Sequence, residues 1–425
     1  MLTRVRRVLA VSGTTAGRAT LTAGSWAVLA RLMGGAGRTI RSLILARLLA
    51  PADFGVTALA LVAIDTLEAC TTTGLEAALV QRRDQRPEQV DRVFTIQLIR
   101  GIVIGIAIWS LAGGCATAFH EARLESVMRW LAVLPVLRGL SNPGTITLVQ
   151  NLNFRSLFAW DTAETIAALA AGIGVAFWRA DATALVASSL AGQAVRSTLS
   201  WWIVPLRARL RYDLHQSAGL FHFGRWVLLA NILMVVNVHG EQVVVGALMG
   251  AGALGTYQLA SRLAELPIVL LAHPALQVCF PALSGITDDR RAFVDFWLAL
   301  VGAITAASLA WMALVIPLAS TVVPLVFGAH WVAAAPILQI AVVTAVVRAV
   351  VVVGQPAFYA LGRPDLHVHV NVVRLVGIAI LLPFGAARFG LAGIAGAVLG
   401  GTACAALVQV AIVRRAITGI PPLRA

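Results

Sequence analysis

The chain contains no lysine; all 33 of its basic residues are arginine. Charge of either sign is scarce, at 12% of 425 residues against 59% hydrophobic, and the mean hydropathy is +0.86. A soluble domain of this size needs far more charge to cover its surface, so that class is excluded. The missing lysine points to a GC-rich coding bias and carries no mechanism. The four cysteines, Cys70, Cys115, Cys279 and Cys404, share no short spacing. They fit neither a zinc site nor a disulfide framework and read as small core residues. There is no Walker loop, no HExxH and no carboxylate pair on an extramembrane domain. Direct use of ATP, a metal, a cofactor and enzymatic chemistry are therefore not expected.

What the chain has is apolar runs long enough to cross a bilayer, from end to end. The segments fall at 22–47, 54–78, 93–118, 127–150, 158–178, 182–205, 222–248, 253–283, 293–318, 333–360, 366–386 and 391–413. About twelve transmembrane helices follow, an all-α polytopic membrane protein. The start, Met1-Leu2-Thr3-Arg4-Val5-Arg6-Arg7, precedes a short apolar stretch broken by Gly13 and Gly17, and reads as an uncleaved basic arm. With the amino terminus in the cytoplasm, eighteen loop arginines fall inside, among them Arg82, Arg83, Arg86, Arg207, Arg209 and Arg211. Only Arg47, Arg123, Arg179 and Arg388 fall outside. That asymmetry obeys the positive-inside rule, puts both termini in the cytoplasm, and explains the net charge of +14 better than nucleic acid does.

The halves resemble each other at a spacing of 200 residues. Gly24, Trp26, Leu29 and Ala30 match Gly224, Trp226, Leu229 and Ala230, and Leu48, Gly55, Leu59 and Ala60 match Leu248, Gly255, Leu259 and Ala260. Coincidence between apolar helices is the plainer reading, but the tryptophan pair and the fixed register favour a repeat. The expected organisation is a cytoplasmic arm at 1–21, a six-helix lobe at 22–205, a cytoplasmic linker at 206–221, a second six-helix lobe at 222–414 and a tail at 415–425. Parallel repeats of this kind build carriers that rock about a central cavity between two lobes.

Ionisable groups inside a bilayer cost roughly 2.5–3.5 kcal/mol on insertion scales, so they face a partner or a wet cavity. Arg31, Arg38 and Arg41 share one face of the first span. They read either as ligands for an anion or as a structural network. The second span carries Asp65 and Glu68, and Glu265 of the eighth span stands at the repeat position of Asp65. Gln258, Arg262 and Glu265 form a polar stripe, in which Arg262 can also simply neutralise Glu265. The seventh span brings Asn231, Asn237, His239, Glu241 and Gln242. Arg348 and Gln355 lie in the tenth, and His367, Asn371 and Arg374 in the eleventh, where His367 reads as a relay or as a residue snorkelling to the interface. Arg100 lies in the third span; Asp161 and Glu164, near the start of the fifth, read as interface contacts.

The stretch Ile44-Leu45-Ala46-Arg47-Leu48-Leu49-Ala50-Pro51-Ala52-Asp53-Phe54-Gly55 resembles the first-loop signature of bacterial polysaccharide flippases, in the multidrug/oligosaccharidyl-lipid/polysaccharide exporter superfamily. So do Gly74-Leu75-Glu76-Ala77-Ala78-Leu79-Val80-Gln81-Arg82, Asn153-Phe154-Arg155, Leu254-Gly255-Thr256-Tyr257-Gln258-Leu259-Ala260, Phe280-Pro281-Ala282-Leu283-Ser284, and Phe327-Gly328 with Trp331. The family pattern has an aspartate near Glu241, and the chain departs from it there. The resemblance implies two six-helix lobes around a cationic cavity and export of an undecaprenyl-diphosphate-linked oligosaccharide across the inner membrane, for lipopolysaccharide, capsule or exopolysaccharide. Partners would be that lipid-linked oligosaccharide, the bilayer, and a polysaccharide polymerase with its chain-length machinery. The diphosphate and sugar would be met by Arg31, Arg38, Arg41, Arg100, Asn231, Asn237, Gln258, Arg262, Arg348, Gln355 and Arg374. Asp65, Glu68, Glu241 and Glu265 would couple the cycle to an ion gradient or the membrane potential, each charge moved being worth ~2.3 kcal/mol per 100 mV. The alternatives are a multidrug cation antiporter of the same superfamily, which would favour an acidic cavity, and a membrane polymerase or ligase, which would need a larger outer loop.

Overall fold

The computed structural model describes residues 37, 39–71, 87–150, 153–204, 208–210, 218–272 and 290–419, and no strand occurs among them. A helix over 39–48 (α1) leads into α2 (Pro51–Thr71), followed by α3 (Pro87–Ala118). Both α2 and α3 begin on proline, whose fixed φ suits the first helical position and whose missing N–H is not needed there. Next come α4 (Ala122–Leu131), α5 (Val133–Gly139) and α6 (Ile146–Gln150). The Asn153 and Asp181 side chains cap α7 (Phe154–Trp178) and α8 (Ala182–Ile203) by accepting from the amides of Ser156 and Thr183. The chain ends in α9 (Ala218–Ala264), α10 (Arg290–Phe327), α11 (Ala334–Ala360) and α12 (Pro364–Gly419).

Two glycines punctuate long helical stretches. Gly250 (φ +81°) breaks α9 and Gly390 (φ +56°) breaks α12, each turning one run into two legs. Both breaks fall in the short gaps expected between the seventh and eighth and the eleventh and twelfth spans. The fourth span differs from expectation. Instead of one helix over 127–150, α4, α5, a 3-10 turn at Pro143–Thr145 and α6 follow one another. Pro143 cannot continue a helix, and the Asn142 side chain caps the new turn through the Gly144 amide at 2.9 Å.

Six described helices are long and apolar enough to cross a membrane, the last of them containing both legs of α12. Only 11% of the most apolar window of Arg291–Phe327 is buried, the reverse of a soluble helix of that hydropathy. Trp178 and Trp202 are more than four-fifths exposed at helix ends, as residues of an aromatic membrane belt would be. The chain is a multi-pass membrane protein. Of its cysteines, Cys70 and Cys115 are half-buried, while Cys404 is exposed and is no core residue; Cys279 lies outside the described residues.

Packing divides the chain into two compact units. The first is Met1–Arg41, Ala63–Ala116 and Ala122–Val235; the second is Ser42–Val62, Thr117–Glu121 and Val236–Ala425. Small residues let helix backbones meet within each. In the first, a Cβ on Gly192 of α8 would sit 2.9 Å from the Ala168 methyl of α7. In the second, the legs of α12 touch at Gly377 with Gly401 and at Gly385 with Gly393. The start of α2 belongs to the second unit for the same reason. A Cβ on Gly55 would lie 1.7 Å from the Ala251 carbonyl oxygen, and one on Gly255 would lie 1.8 Å from that of Pro51. The two contacts exchange under the 200-residue shift, the pattern of an isologous crossing. Trp331 is fully buried beside it, donating from Nε1 to the Ala46 carbonyl at 2.8 Å with its ring edge-on to Phe54.

Candidate functional site

The first unit holds a cavity of about 340 Å³ lined by charged and amide side chains. Asp65 and Glu68, three residues apart on α2, share one helix face, and both accept from Arg138 Nη1 of α5, at 3.3 and 2.5 Å. The arrangement recurs with other helices. Asp161 and Glu164, three apart on α7, both accept from Arg196 Nη1 of α8, Asp161 at 2.6 Å. The Arg196 guanidinium also lies 4.0 Å from the Trp160 ring centroid, and Trp160 Nε1 donates to the Arg196 carbonyl at 2.7 Å. Arg100, Gln97, Gln193 and Ser141 complete the polar lining. Every guanidinium–carboxylate pair here is about a third exposed or less on average, so water screens it only in part.

The second unit carries a different network. Glu241 accepts from the Tyr257 hydroxyl at 2.8 Å and stands 3.5 Å from Arg374 Nη2. Arg374, 5% exposed, donates through Nη1 to both the carbonyl and the amide oxygen of Asn237. Asn237 donates to Asn371 at 2.6 Å, and Asn371 contacts His367 Nε2 at 3.1 Å. Beside this chain, Arg348 of α11 pairs with Glu265. The space among Glu241, Tyr257, Ser261, Glu265, Thr344 and Arg348 is about 30 Å³, the share of a single water. The first unit's ion pairs border a roomy cavity, whereas in the second Arg374 and Glu241 are nearly buried and Arg348 and Glu265 keep about a third of their side-chain surface exposed.

Of the residues expected at a site, Asp65, Glu68 and Arg100 meet in the first unit, and Asn237, Glu241, Glu265, Arg348 and Arg374 meet in the second. Arg348 and Arg374, expected to face an anionic ligand, are engaged by carboxylates of their own unit. Arg262 does not neutralise Glu265 but donates to Ser42 Oγ at 2.9 Å. Gln355 lies 3.4 Å from the Tyr359 hydroxyl, Gln258 is half-buried, and Arg41 is half-buried on α1. Arg31, Arg38 and the Asn231 side chain lie outside the described residues. Asp161 and Glu164 are not interface contacts but half of the Arg196 cluster.

Arg138, Arg196 and Tyr257 are polar members that sequence reasoning passed over as site residues. A signal existed. Asp65-Thr66-Leu67-Glu68 and Asp161-Thr162-Ala163-Glu164 repeat one acid-Thr-x-acid pattern within apolar spans, and each demands a cation from another helix. The repeat also shows in the pairing. Asp65 and Glu265, 200 residues apart, each take an arginine from the fourth helical segment of their own half, Arg138 and Arg348.

Residues 44–336 match the family of polysaccharide biosynthesis proteins. The chain belongs to this family. Within it, the chain is similar to the lipopolysaccharide biosynthesis protein WzxC of Escherichia coli K12, at 25% identity over 364 residues covering 84% of this chain and 73% of that one. It is also 25% identical to the succinoglycan biosynthesis transport protein ExoT of Rhizobium meliloti, over 74% of this chain and 63% of that one. The teichuronic acid biosynthesis protein TuaB of Bacillus subtilis is 21% identical, over 69% of this chain and 61% of TuaB. The chain therefore spans less than two thirds of ExoT and TuaB. In fold, this polysaccharide biosynthesis protein resembles the lipid II flippase MurJ in its inward closed conformation, with a TM-score of 0.74, 13% identity, and coverage of 93% and 87% of the two chains. A multidrug MATE family transporter of the MOP superfamily, inward-facing, gives a TM-score of 0.67 at 16% identity, covering 95% and 96%. The all-helical architecture is that of the MurJ and MATE transporters.

Proposed function

We propose that the chain is a flippase that moves an undecaprenyl-diphosphate-linked oligosaccharide from the cytoplasmic to the periplasmic leaflet of the inner membrane, for polysaccharide biosynthesis. The observation that carries this reading is the family match over 44–336, with relatives named for lipopolysaccharide, succinoglycan and teichuronic acid biosynthesis. The physics agrees. A sugar head group cannot cross hydrocarbon, whereas its lipid tail can stay in the bilayer and slide past a carrier.

In this reading Arg31, Arg38 and Arg41, with Arg262 and Arg100, hold the diphosphate as charge-assisted donors, and Asn231, Gln258 and Gln355 meet sugar hydroxyls. Arg348 and Arg374 serve first as counter-ions to Glu265 and Glu241, and Asn237 anchors Arg374. The carboxylates Asp65, Glu68, Glu241 and Glu265 exchange a coupling cation or proton while two six-helix lobes, 22–205 and 222–414, rock in alternation. Both termini face the cytoplasm, in line with the arginine asymmetry of the loops. Translocation needs no covalent step, and the protein is a carrier, not an enzyme; a polymerase with its chain-length partners would act on the exported product. A multidrug cation antiporter has only the shared fold in its favour, whereas the relatives in sequence are named for polysaccharide biosynthesis.

Deletion of the gene tests the reading. A lipid-linked oligosaccharide is expected to accumulate on the cytoplasmic side, and complementation by the wild-type chain clears it. An Arg31→Ala, Arg38→Ala double variant that exports polymer at the wild-type rate would remove the diphosphate assignment.

A further inference from the structure

A groove of about 770 Å³ runs between α3 and the α4–α5 pair of the first unit. Its floor is set by glycine. A Cβ on Gly101 would sit 2.4 Å from the Pro135 carbonyl oxygen, and one on Gly105 would sit 2.7 Å from that of Ala132. Backbones that meet this closely push the flanking side chains apart, so Ile102, Ile106 and Trp109 stand as one exposed wall and Trp130 and Val133 as the other.

The groove is amphipathic along its length. Polar groups sit at the end near the turn joining α3 to α4. There Ser126 lies beside Arg129, whose Nη2 is 2.6 Å from Glu125 and whose guanidinium is 5.2 Å from the Trp109 ring centroid. Both charged side chains remain substantially exposed. Away from the turn the lining is Ile102, Ile106, Val133 and Val136, so the apolar part extends ~10 Å beyond Arg129 at helical rise.

We propose that this groove binds a zwitterionic phospholipid of the bilayer, with an acyl chain along the apolar part, the phosphate on Arg129 and the ammonium on Glu125. An apolar trough on a membrane-spanning helix offers water no partners, while a chain lying in it recovers dispersion contacts along both walls. The tryptophans flank the polar end, where amphipathic rings favour the headgroup level. A guanidinium makes charge-assisted bonds to phosphate oxygens. The carboxylate beside it selects a headgroup carrying both signs and repels one that is only anionic. The site is separate from the polar cavity of the same unit and does not depend on which substrate the protein moves.

Native mass spectrometry of the purified full chain, titrated with phosphatidylethanolamine and phosphatidylglycerol of identical acyl chains, tests the proposal. The ethanolamine lipid is expected to be retained about tenfold more, equivalent to ~1.4 kcal/mol. Glu125→Gln is expected to abolish that preference while keeping binding, and Arg129→Ala to lower retention of both lipids. Val133→Trp, which fills the trough from an exposed position, is expected to displace the lipid adduct with an unchanged melting temperature. Equal retention of the two lipids by the wild-type chain, an undiminished adduct in Val133→Trp, or a dimer in place of a lipid-bearing monomer would overturn it.

Discussion

Each described arginine cluster in the membrane core is assembled from residues far apart in sequence. Arg138 reaches carboxylates about seventy positions away, and Arg196 reaches back more than thirty. Removing such a guanidinium strands two partly desolvated carboxylates. Pairs of this intermediate burial fall between the exposed and buried extremes, so Arg138→Ala or Arg196→Ala is expected to cost about 1–3 kcal/mol. Thermal unfolding in detergent measures it. In Arg138→Ala with Asp65→Asn and Glu68→Gln, much of the loss should return, because no uncompensated charge remains; a triple variant no more stable than the single would contradict the pairing. The acids were legible in the sequence, because a carboxylate in an apolar run announces itself. Their partners were not, because no helical periodicity reports which face of a distant helix turns toward them. Arg348 and Arg374 show the converse limit: their presence in apolar spans was plain, yet the carboxylates that engage them could be found only by packing.

At the scale of elements, most helices follow from apolar length and from where glycine and proline interrupt it. Gly250 and Gly390 fall where loops were expected because a positive φ ends a helix. The fourth span reads as continuous in the sequence because its apolar pattern persists through the Asn142–Pro143 break, which the backbone does not bridge as one helix. The crossing of α2 with the second leg of α9 depends on two glycines. Gly55→Ala or Gly255→Ala would drive a methyl group against a carbonyl oxygen, and overpacking of this kind costs about 1–3 kcal/mol. Each variant is expected to melt lower and to export less polymer, and an Ala variant with wild-type melting and export would show that the crossing is not needed. Trp331→Ala should cost more, about 3–5 kcal/mol, since a fully buried indole and its bond to Ala46 are lost together. Urea or thermal unfolding of the purified variant reads that difference.

At the scale of the whole molecule, two pairs of positions 200 residues apart make corresponding contacts. Gly55 and Gly255 exchange partners across one crossing, and Asp65 and Glu265 each take an arginine from the corresponding helical segment. The units differ in how much room surrounds those ion pairs, about 340 Å³ against 30 Å³. Among the described residues, the carboxylates of each unit pair with arginines of that same unit, which lowers the cost of keeping those charges in hydrocarbon surroundings. The measurement closest to this account reconstitutes the purified chain in proteoliposomes containing an undecaprenyl-diphosphate-linked oligosaccharide and follows the glycan's accessibility to an external glycosidase. Flipping is expected well above protein-free vesicles and strongly reduced in the Arg31→Ala, Arg38→Ala variant. No flipping by the wild-type chain, with uptake of cationic drugs by the same vesicles, would contradict it.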